Sequence, residues 1–214
     1  KAEQVRGLIR FFGVSSLRAL QQTSAAFRIS EAARVSPGAL AAWLRKGELE
    51  GQEATTAPYD EVRFREALAM VRGLTGDPPE KFEPKMKELC AGSGVAVVFT
   101  REFPRTGANG VARWLTPHKA LIQMSLRGRW SDIFWFSFFH EAGHILQKRV
   151  REVVIDDDGA GAGNPAAESR ADAFARDFLI PPQQWQRFLD TSAFSRESVA
   201  HFAQELGIAP GIVV

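Results

Sequence analysis

The residues best suited to chemistry lie in one run, His140-Glu141-Ala142-Gly143-His144. Two histidines four apart on a helix project from one face, so both imidazoles reach a single metal ion. Glu141 stands beside them, placed to take a proton from water on that metal. Read alone, the pair could also be core histidines hydrogen-bonded to backbone next to a solvated glutamate. Its location argues for the metal. The run follows Ile133-Phe134-Trp135-Phe136 and Phe138-Phe139, the most apolar stretch of the chain. Unpaired polar groups are costly there, and a metal satisfies all three at once.

A second constellation follows 24 residues after His144, in Glu168-Ser169-Arg170-Ala171-Asp172. Glu168 and Asp172 share a helix face, beside an apolar face of Ala171, Phe174, Ala175 and Phe178. One carboxylate completes the metal site and the other orients a ligand histidine from behind. In isolation, such an i,i+4 acidic pair reads as a solvated one; its place after the histidine run and before Phe-Leu-Ile-Pro-Pro argues for a ligand. Two histidines and one carboxylate leave the fourth position to water, the open arrangement of a catalytic zinc.

The elements that must position these groups are legible in the periodicities. Val5, Leu8, Ile9 and Phe12 recur at helical spacing before Gly13. Ser36 and Pro37 read as an N-cap and first helical residue, with Leu40, Trp43 and Leu44 on one face. Phe64, Leu68 and Val71 form another stripe, which ends near Gly73. The proline-rich stretch from Thr75 to Pro84 reads as a linker, and Phe82, Met86, Leu89 and Cys90 suit a short helix. Short buried-strand patterns follow at Val95–Phe99, Gly110–Leu115 and Leu121–Leu126. A helix apolar nearly all round spans Ser131–Lys148, and a Gly-rich acidic loop, 156–164, leads to a helix over Pro165–Leu179, stopped by Pro181-Pro182. A last amphipathic helix runs from Ser195 to Leu206 before Gly207. The fold class is α+β, a small three-stranded sheet with helices packed on one side. The chain divides into a helical connecting region (1–75), a linker (76–84) and a domain (85–214) that carries the chemistry.

Those motifs have a family likeness. His-Glu-Ala-Gly-His followed by Glu-x-x-Ala-Asp-x-Phe-Ala-x-x-Phe-Leu-Ile-Pro resembles the ImmA/IrrE family of gluzincin-like metallopeptidases. Lys119 to Arg127 and the aromatic run Phe134 to Phe139 are similar to the same family. The likeness is greatest to the branch in which the peptidase-like domain follows a HigA-type helix-turn-helix antitoxin module, and it covers about residues 84–214. It implies His140, His144 and Glu168 as zinc ligands, Glu141 as general base and Asp172 as a partner behind a ligand. It implies also that the strand Ala120–Leu126 borders the cleft and pairs with an extended substrate. Better-understood members cleave a helix-turn-helix repressor, which switches on the genes it silenced.

Two functions fit: a zinc endopeptidase acting on such a protein partner, or a regulatory module of a HigA-type antitoxin or transcriptional regulator that cleaves nothing. Glu141 favours the first, since a purely structural metal needs no base. The residue that stabilises the transition state is open among His118, His201, Arg113 and Arg127; His118, just before a strand, is the best placed of them, although by itself it reads first as an exposed turn histidine. The only tyrosine, Tyr59, lies in the first part.

Composition narrows the rest. With 27 Lys and Arg against 25 Asp and Glu, and no basic stripe, the chain has no footprint for nucleic acid. The stretch Ile29–Gly47 superficially resembles a helix-turn-helix, but Arg34 stands where the turn wants Gly and Ser30 where a small Ala packs. A scaffold helix is the expectation, with DNA contact left to a module upstream. Lys1 and the apolar Ile212-Val213-Val214 both read as cuts in a longer protein. One cysteine, Cys90, excludes an internal disulfide and reads as a small core residue in a reducing compartment. With no apolar run long enough for a membrane and no secretory pattern, the cytoplasm is the expected location.

Overall fold

The computed structural model describes residues 2–14, 36–101, 103–125, 131–147, 165–191 and 194–214. They form α1 (Ala2–Phe12), α2 (Pro37–Glu53), α3 (Glu61–Arg72), α4 (Pro79–Ala91), β1 (Val95–Thr100), β2 (Gly110–Thr116), β3 (Lys119–Ser125), α5 (Ser131–Leu146), α6 (Pro165–Leu179), α7 (Pro182–Asp190), α8 (Arg196–Leu206) and a 3-10 turn at Pro210–Ile212. This is the α+β architecture that the periodicities predict. Arg127, the loop 156–164 and the first residues of the helix-turn-helix-like stretch, 29–35, lie outside the described residues.

The sheet is mixed, in the order β1-β3-β2. Central β3 runs parallel to β1 and antiparallel to β2, with Val97 and Ala112 both opposite Ile122. Side chains alternate between two faces. Val95, Val97, Ala112, Ala120, Ile122 and Met124 face a core shared with Trp135, Phe138, Phe139, Ala142 and Ile145 of α5. That core also takes Phe64, Leu68 and Val71 of α3 and Phe82, Met86 and Cys90 of α4. Burial pushes the Cys90 thiol up to about 12, so it is a packed apolar group rather than a nucleophile.

The opposite face is covered too, which corrects the expectation of helices on one side. Helix α2 buries Leu40, Trp43 and Leu44 against Ala108 and Val111. Its buried polar groups are paired: Trp43 Nε1 donates to Thr100 O at 2.9 Å, and Gln123 Nε2 donates to Trp43 O at 2.7 Å. The part of the helix-turn-helix-like segment within α2 is therefore a sheet-packing helix.

The proposed linker needs a second correction. Residues 79–84 are the first turns of α4, despite Pro84 within the helix. Phe82, Met86 and Cys90 at i, i+4 and i+8 bury one apolar stripe, which outweighs the missing amide. Helix α7 follows Pro181 directly, and its Phe188 stacks on Phe202 of α8 at 4.4 Å between ring centroids. None of the helices described is long and apolar enough to cross a membrane.

One side chain ties the helical layer together. Arg72 Nε donates to Phe178 O at 2.9 Å, Nη2 to Leu179 O at 2.7 Å and Nη1 to Leu206 O at 2.8 Å. A cation thus closes the C-terminal ends of α6 and α8, where free carbonyls gather negative potential. Arg72→Ala should lower stability by about 3 kcal/mol, because half-buried carbonyls lose charge-assisted bonds. Urea denaturation checks this, and a loss under about 1 kcal/mol would mean that water replaces the guanidinium freely.

Candidate metal centre

Helix α5 places the first ligands because its second half is buried between the sheet and α6. His140, Glu141 and His144 are 2%, 1% and 5% exposed. Helix α6 places the third. Its Ala171, Ala175 and Leu179 repeat every four residues along a buried stripe, and Glu168 lies one turn before Ala171. Gly143 makes the approach of the two helices close. A Cβ there would stand 3.2 Å from the Ala171 Cα and 3.2 Å from Phe174 Cδ1. Small residue on small residue brings Glu168 within reach of both histidines.

Three donor atoms converge as a result. His140 Nε2 and His144 Nε2 are 3.0 Å apart, and Glu168 Oε2 lies 3.3 Å from the first and 3.4 Å from the second. These residues form a group that could hold a metal ion. Donors bound tetrahedrally at about 2.0–2.1 Å stand about 3.4 Å from one another, so the triangle has the size such an ion requires. Asp172 Oδ1 lies 2.8 Å from His140 Nδ1. A carboxylate accepts, so the proton sits on Nδ1 and the Nε2 lone pair faces the triangle. Glu168 Oε1 is buried with no hydrogen-bond partner. Burial, with a smaller push from Asp172, moves the Glu168 carboxyl above the usual carboxylate range, and His140 pulls it back. Two imidazole nitrogens and a desolvated carboxylate converging on one point fit a cation.

Asp172→Ala should weaken binding of a divalent transition metal roughly ten- to a hundred-fold by freeing the His140 ring, whereas Glu168→Ala should do more damage by deleting a donor. Competition titration against a chromophoric chelator measures both. Equal losses would mean that the roles of the two carboxylates are misassigned.

Glu141 packs against the start of β2. A Cβ at Gly110 would be 2.9 Å from Glu141 Cγ and 3.2 Å from Met124 Sδ, so glycine leaves the room that the glutamate occupies. This contact locates the site at the Gly110 end of the sheet and decides two further expectations. His118 lies in the turn that joins β2 to β3, at the other end of β2. Six strand residues, about 20 Å, separate that turn from Gly110, so His118 is not a transition-state donor. Strand β3 does not pair with a substrate either, because β1 and β2 already occupy both its edges. The edge beside the site belongs to β2.

Of the other donors named from the sequence, Arg127 is outside the described residues, and Arg113 and His201 are elsewhere. Arg113 donates to Leu44 O at 2.7 Å on the α2 face, and exposed His201 pairs with Glu205 at 3.1 Å. Tyr59 packs edge-on to Trp114, toward the far end of β2. The structure instead brings Asn109 and Ser137 to a cavity that Asp172 also lines. Ser137 was accessible to sequence reasoning, since it precedes Glu141 by four residues on the same helix face; Asn109 was not.

No family model matches the sequence, and none of the curated proteins matches it.

Proposed function

We propose that the chain is a zinc-dependent endopeptidase acting on a protein partner, with a helix-turn-helix transcriptional repressor as the substrate class to which its motif resemblance points. The observation that carries this reading is the donor triangle of His140, His144 and Glu168, with Glu141 buried beside it. Two imidazoles and one carboxylate suit zinc and leave a coordination position open, and an acid–base group next to an open position suits hydrolysis. Bound zinc supplies Lewis acidity, which eases loss of a proton from water and polarises a peptide carbonyl.

The chain's own groups do the rest. Glu141 takes the proton from the attacking water and returns it to the leaving amine, in a pocket dry enough to strengthen both transfers. Asp172 holds the His140 ring in one tautomer and one orientation. An extended peptide adds to the edge of β2 that no described strand pairs, starting beside Gly110, so that backbone hydrogen bonds align the scissile bond.

Metal analysis of chelator-washed, zinc-reloaded protein tests the reading. About one equivalent is expected in the parent chain and none above background in the His140→Ala, His144→Ala double variant. Zinc retained by the double variant would sink the assignment.

A further inference from the structure

Along α5, Ile133, Phe136, Ser137, His140, Glu141 and His144 follow the i, i+3, i+4, i+7, i+8, i+11 pattern of one helical stripe. The last three carry the chemistry. The first three line a cavity of 400 Å³, together with Asn109, Asp132, Asp172, Leu179, Ile212 and Val214. The cavity adjoins the metal centre at two residues. Asp172 belongs to both, since it lines the cavity and lies 2.8 Å from His140 Nδ1. Phe136, one turn before His140, has its ring centroid 6.3 Å from the imidazole.

We propose that this cavity is the subsite that receives a large apolar side chain of the peptide substrate, next to the scissile bond. The proposal rests on the metallopeptidase reading. Ile133 and Phe136 are 44% and 37% exposed, large apolar groups left in water where they wall a concavity. Covering them with a substrate side chain removes that apolar surface from water. Ile212, in the turn that follows α8, supplies apolar surface from a separate element. The charged lining residues described are Asp132 and Asp172, so an acidic side chain meets like charge. The volume lies at the lower end of small-molecule pockets, which suits one bulky side chain better than a cofactor.

Hydroxamates that chelate zinc report on the subsite without turnover. The probes are acetohydroxamate, which has no side chain, and the α-hydroxamates of N-acetyl-leucine and N-acetyl-aspartate. Each is titrated calorimetrically into the zinc-loaded 214-residue chain. The leucine probe is expected to bind at least about tenfold tighter than acetohydroxamate, and the aspartate probe more weakly than either. In Phe136→Asp and Ile212→Asp the leucine-to-acetohydroxamate ratio should fall to about one. Phe136→Ala and Ile212→Ala, in which the ratio should fall at least about threefold, serve if the charged variants do not fold. Acetohydroxamate that fails to bind would overturn the metallopeptidase reading, and the subsite with it. Acetohydroxamate binding with no gain for leucine, or a leucine preference that survives substitution at both positions, would overturn the subsite alone.

Discussion

Glu141→Gln should leave the fold and the metal in place and lower peptide hydrolysis by about a hundred- to ten-thousand-fold. The amide is nearly isosteric, so it fills the space that Gly110 leaves beside β2. It cannot accept a proton from water, and a positioned base contributes about that factor to the rate. Metal affinity rests on other atoms: the two Nε2 nitrogens and Glu168 Oε2, which lie 3.0–3.4 Å apart without Glu141. Measuring turnover of a protein or peptide substrate together with zinc content and melting temperature separates the possible roles. Undiminished cleavage would remove Glu141 from the mechanism. Loss of both metal and fold would make it a structural residue, which its burial alone would also permit.

Gly143→Val should lower metal affinity by more than about a hundredfold, although Gly143 touches no metal. The obstacle is backbone. The added Cβ meets the Ala171 Cα at 3.2 Å and the Ala171 Cβ at 3.5 Å, and valine brings two further carbons to the same gap. Overpacking of this kind costs about 1–3 kcal/mol, and α6 relieves it by moving away. Glu168 moves with α6, one turn from the contact. The two edges of the donor triangle that it forms, 3.3 and 3.4 Å, then lengthen. A ligand displaced by much more than about 0.5 Å no longer completes the site. Gly143→Ala is the graded control: it adds only the Cβ, and its strain is partly offset by about 1 kcal/mol of better helix propensity. Its affinity should fall between the parent and valine. Zinc titration with a competing chelator checks the series. Parent-like affinity in Gly143→Val would show that Glu168 reaches the metal without the close helix contact.

The sequence alone determined whatever depends on neighbours along the chain. Helical period places His140, Glu141 and His144 on adjoining positions of one helix, wherever that helix docks. The same local rule gave Glu168 and Asp172 a common face, and short apolar runs bounded by Gly and Pro marked the strands, since burial on both sheet faces leaves no polar alternation. Even the Pro165–Leu179 helix ends where local chemistry says, before Pro181-Pro182. The motif resemblance supplied the roles of the residues, but no spacing rule states which carboxylate turns toward the histidines. That depends on how α5 and α6 cross, and Gly143 against Ala171 sets it.

Tertiary structure alone decided the rest, because it concerns pairings between residues far apart in the chain. Periodicity does not say which strand is central. Placing β3 between β1 and β2 leaves β2 as the strand beside Glu141, with His118 at its other end. The second covered face came from α2, whose Trp43 bonds a carbonyl 57 residues away at Thr100. The proline count of the linker lost to a buried stripe that only the completed core could reward. Asn109 reaches the cavity that Asp172 lines because β2 begins beside Glu141. Local spacing specifies which groups can act together on one element; the docking of elements specifies which of them meet, since nonlocal burial overrides local preference wherever the two compete.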